Sequence, residues 1–131
     1  MKLEQSTKET VGISSYKDLI VWQKSMTLAE RVYICTLQFP PEEKYNLVSQ
    51  MRRSAVSIPS NIAEGRARSS RKDFTQFLRI ALGSIHKLKT QLELSLRLSF
   101  LAKTDYNETI GTLLEVKKMT FKMISSLKAN S

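Results

Sequence analysis

The chain has 131 residues, of which 21 are basic and 12 acidic, giving a formal net charge of +9. This length suits a single domain with its own core. The lone cysteine, Cys35, excludes a disulfide within the chain, and the lone histidine, His86, excludes a metal site built from several histidines of one chain. The positive charge favours an anionic partner, most often a nucleic acid, with plain solubility as the alternative.

Residues 1–15 are polar and mixed in charge, and they predict a flexible N-terminal tail ahead of one domain over residues 16–131. They lack the apolar core of a secretion signal. No run approaches the roughly 18 apolar residues that a membrane span needs. Together with the single cysteine, these features lead us to expect a soluble, cytoplasmic protein with no membrane partner.

Four helices are predicted, over residues 16–38, 42–65, 70–100 and 105–128. Apolar residues recur at helical spacing in each, and only four glycines and three prolines interrupt the whole chain. Short connections between long helices favour neighbours that run in opposite directions. The predicted fold is therefore an all-α, antiparallel up-down-up-down four-helix bundle.

The first predicted helix carries two apolar stripes that lie more than about 90° apart, since each residue turns the helix by about 100°. One stripe consists of Leu19, Trp22, Met26, Ala29, Tyr33 and Leu37, and the other of Val21, Leu28, Val32 and Cys35. The third predicted helix has a second stripe as well, made of Ile80, Leu94, Leu98 and Leu101. One stripe can face the bundle core, and the other then needs another neighbour. We therefore expect a homo-oligomer, with the alternative that the extra stripes only widen the inward face.

The second predicted helix contains Pro59, which costs about 3 kcal/mol in a helix interior. Its apolar face continues on both sides of the proline, so we expect a kinked helix rather than a broken one. That face reads Leu47, Val48, Met51, Ala55, Ile58 and Ile62. The small polar residues Ser57, Ser60 and Asn61 are expected to satisfy backbone groups freed by the kink. The alternative is that the kink shapes a polar binding surface.

Glu64 completes this predicted polar network. We expect it either to cap the helix or to pair with Arg52, Arg53 or Arg68, and to belong with Asn61 to a buried polar network. A buried carboxylate without a partner would be costly.

Basic residues cluster where the second and third predicted helices meet, namely Arg66, Arg68, Arg71 and Lys72. On the third helix, Lys72, Arg79 and His86 are seven residues apart, so they form one line that drifts about 20° per step. Such a line can follow a phosphate backbone and gain affinity from counterion release. The main candidate nucleic-acid contacts are therefore Arg66, Arg68, Arg71, Lys72 and Arg79. Arg52 and Arg53 are secondary candidates.

A solvated helix face is the alternative for these cations. No aromatic stacking platform accompanies them in the sequence, because Tyr16, Tyr45 and Tyr106 fall near predicted helix starts.

No standard catalytic, metal or cofactor site is apparent. A helical di-iron site needs paired Glu-x-x-His motifs, whereas Gly83 stands three residues before His86. No glycine-rich phosphate loop follows a strand. Cys35 falls on an apolar stripe and is predicted to be a packed thiol. We expect a protein that is not an enzyme and that carries no cofactor.

Three runs of the chain resemble the four-helix-bundle proteins encoded within 23S ribosomal RNA intervening sequences. They are YKDLIVWQKSMTLAERVY, FPPEEKYNLVSQMRRSAVSIPSNIAEG and RKDFTQFLRIALGSIHKLKTQLELS, and the resemblance extends over about residues 16–128. It implies an up-down bundle assembled as a homopentameric ring without enzymatic activity. The family is also similar to the basic accessory proteins of diversity-generating retroelements, which work with nucleic acid and a reverse transcriptase.

One departure concerns the stretch after Gly83-Ser84. Lys87 and Lys89 stand where the family usually has glutamates, so the third helix is more basic than usual. If such a glutamate pairs with an arginine of the second helix, that pair is absent here.

These observations predict a homo-oligomeric bundle that binds the phosphate backbone of RNA or DNA through basic surfaces. The alternative is a protein-interaction scaffold that recruits a partner protein without nucleic acid.

Overall fold

A computed structural model of the protein describes Tyr16 and residues 19–129. The predicted tail of residues 1–15 lies outside this part. Four α-helices and one short 3-10 turn account for most of the described chain, and no strand occurs in it. The helices are α1 (Ile20–Thr36), α2 (Leu47–Arg66), α3 (Arg71–Arg97) and α4 (Lys103–Ala129), and the turn is Pro41–Glu43. The four predicted helices are confirmed.

Each helix packs against two others, so the four enclose one core. α1 contacts α2 and α4, and α3 contacts α2 and α4, with the most extensive contact between α2 and α3. Hydrogen bonds join α2 to α3 at two levels, from Ser95 Oγ to Met51 Sδ at 3.4 Å and between the Ser57 and Ser84 hydroxyls at 2.8 Å. No helix of the described residues is long and apolar enough to cross a bilayer.

The two stripes of α1 have different surroundings. Val21, Leu28 and Val32 are buried in the core. Met26 and Tyr33, from the other stripe, are 39% and 43% exposed. The stripe that begins at Val21 is therefore the inward one. In the other stripe Met26, Tyr33 and Leu37 face outward, while Leu19 and Trp22 pack partly against the core.

α2 runs without interruption from Leu47 through Pro59 to Arg66, as expected of a helix that the proline does not break. All six residues of its predicted apolar face are buried. Two side chains donate to carbonyls beside the proline: Ser60 Oγ bonds to Val56 O at 2.7 Å, and Asn61 Nδ2 bonds to Ser57 O at 2.8 Å. The kink at Pro59 stays a prediction.

Several polar residues in the core were not foreseen as core positions. Ser25, Thr36 and Ser95 are buried, and each hydroxyl donates to a backbone carbonyl three or four residues earlier in its own helix, at 2.8 Å in all three cases. These bonds give each buried hydroxyl a backbone acceptor within its own helix. Cys35 is buried as predicted, and its Sγ lies 3.6 Å from Thr109 Oγ1 on α4.

The end of α3 is closed by a Schellman motif. Ser99 adopts a positive φ of 62°, Ser99 N bonds to Leu96 O, and Phe100 N bonds to Ser95 O. The ring of Phe100 then packs on Phe39, with 5.6 Å between the ring centroids. This contact ties the connection between α3 and α4 to the connection between α1 and α2.

Candidate nucleic-acid interface

Gly65 sets the approach of α2 to α3 at the connection that carries the predicted basic cluster. A Cβ atom at this position would lie 2.7 Å from Phe77 Cβ and 3.0 Å from Phe74 Cδ1. Real Cβ atoms do not come so close, so only glycine allows this crossing. Five residues after Gly65, Ser70 forms the N-cap of α3, and its Oγ accepts a 3.1 Å hydrogen bond from Asp73 N. This bond satisfies one of the backbone N–H groups that the first turn of a helix leaves unpaired.

The basic cluster surrounds this connection. Arg68 is exposed, pairs with Glu64 at 2.8 Å and stacks over the Phe77 ring at 4.9 Å. Arg66 and Arg71 line a cavity of about 420 Å³ together with the N-cap Ser70. The positive end of the α3 dipole points into the same region. Three arginines thus meet at one end of the bundle.

Lys72 and Arg79 continue the cluster along the outer face of α3. Both are exposed, and seven residues at about 1.5 Å each separate them by about 10.5 Å along the axis. The buried residues of α3, among them Ala81 and Ile85, lie on its opposite side. His86 is also exposed and extends the line by another two turns. The structure therefore brings five predicted residues together: Arg66, Arg68, Arg71, Lys72 and Arg79.

Arg52 and Arg53 lie apart from this cluster, nearer the other end of α2. Arg52 is half-buried, and its Nε donates to Thr36 Oγ1 at 2.9 Å while its guanidinium lies 4.5 Å from the centroid of the Tyr33 ring. These contacts fasten α2 to α1. Arg53 is exposed, and within the chain it has a 3.5 Å hydrogen bond to Ser49 Oγ.

The predicted polar network is divided between two places. Asn61 Nδ2 donates to Ser57 Oγ at 3.0 Å, and Ser57 reaches Ser84 on α3. Glu64 is exposed and paired with Arg68, one of the partners considered for it, so it lies outside the buried part of the network. Ser60 is exposed and bonds only to its own helix among the contacts described above.

A polar groove runs between α2 and α3, on the side of Asn61 and Ser84. It measures about 600 Å³, and we refer to it as the α2/α3 groove. Its lining consists of Gln50, Arg53, Ser54, Ser57, Ser84, Lys87, Thr90 and Gln91. Sequence reasoning noted Lys87 only as a departure from the family and missed Gln91. Periodicity within one helix cannot show that side chains of two helices meet.

An apolar groove lies on the other side of α2, against α1. It measures about 710 Å³, and we refer to it as the α1/α2 groove. Its lining consists of Tyr16, Trp22, Met26, Ala29, Glu30, Tyr33, Ile34, Val56, Pro59, Ser60 and Ala63. Ile34 is 58% exposed and Val56 43% exposed, so this surface is open to solvent in the single chain. It contains four residues of the α1 stripe that begins at Leu19 and the side of α2 that holds Pro59.

Comparison with known proteins places this architecture in a family. A crystal structure of a protein of unknown function from the S23 ribosomal protein family of Bacteroides thetaiotaomicron is 29% identical to the chain, with a TM-score of 0.75. The alignment covers 81% of this chain and 96% of that one. None of the curated proteins compared with the chain matches it. The family model described as 23S rRNA-intervening sequence protein matches residues 17–122, and the chain therefore belongs to that family.

Proposed function

We propose that the protein is a non-enzymatic, cytoplasmic homo-oligomer that binds the phosphate backbone of RNA or DNA through the basic cluster and its continuation along α3. The observation that carries the proposal is the concentration of Arg66, Arg68, Arg71 and Lys72 at one end of the bundle. Arginine grips phosphates with two parallel hydrogen bonds, and neutralising phosphates releases counterions.

The spacing of the cations suits an extended polyanion. Lys72 and Arg79 are about 10.5 Å apart along α3, whereas one strand of DNA advances about 3.4 Å per phosphate. The two residues would therefore contact phosphates about three nucleotides apart. Such contacts carry no sequence information, so the binding that we propose is nonspecific.

The bundle that we propose is antiparallel and assembles through the α1/α2 groove. Residue numbers rise along α2 as they fall along α3 in the pairs Met51 with Ser95 and Ser57 with Ser84. Exposed apolar surface next to a charged surface is typical of an interface. The occupant that we propose is a second copy of the chain, and the ring of five follows from the family resemblance. Repeating a weak phosphate site in every subunit raises the overall affinity.

The test is fluorescence anisotropy with labelled RNA at two salt concentrations. Reversing two charges in Lys72→Glu with Arg79→Glu is expected to weaken binding at low salt by about tenfold or more and to lower the slope of log K against log salt by about 2. Lys118→Glu with Lys122→Glu, on the exposed face of α4, makes the same change in net charge and serves as the matched control.

The control variant is expected to keep most of the affinity of the unaltered protein. An equal loss in both variants would show that net charge, rather than this surface, determines binding. If no RNA or DNA binds at low salt and a partner protein survives nuclease treatment of the native complex, the chain is a scaffold instead.

A further inference from the structure

The α2/α3 groove concentrates positive charge without a carboxylate in its lining. Arg53 enters it from α2 and Lys87 from α3, and both are exposed. The remaining lining residues are serines, a threonine and two glutamines, all of which are neutral and can form hydrogen bonds. A groove with two cations, no acid and several neutral polar groups favours an anion that also has polar, uncharged parts.

The hydroxyl groups of Ser57 and Ser84 in the groove have two hydrogens, and one of them is not used in the bond between the two groups. The Ser57 and Ser84 hydroxyls are 2.8 Å apart, so a single hydrogen bond joins them and uses one of their two hydrogens. Asn61 Nδ2 donates to Ser57 Oγ at 3.0 Å and consumes neither. Whichever serine donates to the other, one O–H group remains available to a phosphate oxygen in the groove.

The side-chain oxygen of Gln91 lacks a hydrogen-bond donor within the described part of the chain. Its Oε1 is shielded from solvent and has no hydrogen-bond partner among the described residues. A buried oxygen left in this state is unfavourable. The terminal torsion of glutamine is soft, so the amide can turn its oxygen toward the groove. Turned toward the groove, the oxygen can accept a hydrogen bond from a ligand, and a bare phosphate dianion has no donor to offer it.

The distance between Lys87 and Gln91 indicates the size of the ligand unit that can contact both. Lys87 and Gln91 are four residues apart on α3, and side chains at this spacing begin about 5–6 Å apart. The phosphate and the ribose of one nucleotide can bridge that span. The hydroxyl that distinguishes RNA from DNA lies on this ribose.

We propose that the α2/α3 groove binds one ribonucleotide unit of an RNA chain, with its phosphate between Arg53 and Lys87 and its ribose 2′-hydroxyl donating to Gln91. This assignment rests on the proposed nucleic-acid binding and deepens it, since backbone contacts at the basic cluster do not distinguish RNA from DNA. The two grooves share no lining residue.

Fluorescence anisotropy with a short single-stranded RNA and the DNA of the same sequence tests this assignment at low salt. The unaltered protein is expected to bind the RNA about two- to tenfold more tightly, the range that one net hydrogen bond supplies. Gln91→Ala is expected to abolish this preference while leaving the affinity for DNA unchanged. Gln76→Ala, which removes an exposed glutamine of α3 outside the groove, is expected to keep it.

Two further measurements complete the test. Lys87→Glu is expected to weaken both nucleic acids, and Lys118→Glu to affect them much less. Calorimetry with adenosine 5′-monophosphate tells whether the groove binds a free nucleotide or a unit of an RNA chain. We expect the mononucleotide to bind far more weakly than the RNA. Binding of the mononucleotide as tightly as the RNA would overturn the assignment to an RNA chain.

The possible failures are distinguishable. Binding of RNA and DNA with equal affinity, or a preference that persists in Gln91→Ala, would overturn the groove assignment and leave the basic cluster intact. Absence of binding to either nucleic acid at low salt would overturn the proposed function itself and the groove assignment with it.

Discussion

Arg52 and Arg53 are adjacent in the sequence, yet their guanidinium groups have different surroundings. Arg52 turns toward α1, where Thr36 Oγ1 accepts its hydrogen bond and the Tyr33 ring lies beneath it. Arg53 lies at the edge of the α2/α3 groove, where its guanidinium bonds to Ser49 Oγ of its own helix. Neighbouring residues of a helix point about 100° apart, which is enough to give one arginine a structural contact and the other an open position.

This difference predicts unequal effects on stability. Arg52→Ala is expected to lower the free energy of unfolding by about 1–3 kcal/mol, because it removes a charge-assisted hydrogen bond and a stacked cation. Arg53→Ala removes the same charge and is expected to change stability by less than about 0.5 kcal/mol. Urea unfolding followed by circular dichroism measures both values. Equal destabilisation of the two variants would contradict the contacts assigned to Arg52.

At the scale of the elements, the close approach of α2 and α3 determines where the basic cluster lies. It depends on the absence of a side chain at Gly65, beside Phe74 and Phe77. The basic cluster lies directly after this crossing, so the position of the cluster depends on the same glycine.

Gly65→Ala is therefore expected to destabilise the fold by about 1–2 kcal/mol, since overpacking outweighs the better helix propensity of alanine. Gly83→Ala is the matched control, because a Cβ there meets no atom within 4 Å. The control is expected to stabilise the protein by up to about 1 kcal/mol. Thermal unfolding compares the two variants, and stabilisation by both would contradict the tight crossing.

The sequence predicted most of this level correctly. The four helices and the buried face of α2 follow from periodicity, which each helix carries in its own residues. The inward stripe of α1 could not be chosen in the same way, because Val21 and Trp22 both belong to apolar stripes and only the packing of α2 and α4 decides between them. The α2/α3 groove escaped prediction for a related reason: Ser57 and Ser84 are 27 residues apart, and the helix register that joins them is a tertiary property.

At the scale of the whole molecule, the two sides of α2 have opposite character. The α1/α2 groove is mainly apolar, whereas the α2/α3 groove is polar and basic. We assign assembly to the first and ligand binding to the second. The basic cluster at the end of α2 would contribute further contacts to the same nucleic acid.

Assembly through the α1/α2 groove predicts that two carboxylates placed there will separate the subunits. Met26→Glu with Ile34→Glu is expected to yield the mass of one chain in light scattering, because burying unpaired charges in an interface is costly. Leu114→Glu with Phe121→Glu changes two residues of α4 that are similarly exposed, and this control is expected to keep the oligomer. An unaltered protein that is already monomeric would contradict the interface.

The separation of the two sides of α2 has a genetic consequence. A subunit with Lys72→Glu and Arg79→Glu would lose its grip on nucleic acid and still present an intact apolar groove to its neighbours. If the chain assembles as we propose, altered and normal subunits produced in one cell would form mixed oligomers with fewer intact nucleic-acid sites. Such an allele would interfere with the normal copy, whereas an allele that abolishes assembly would be recessive.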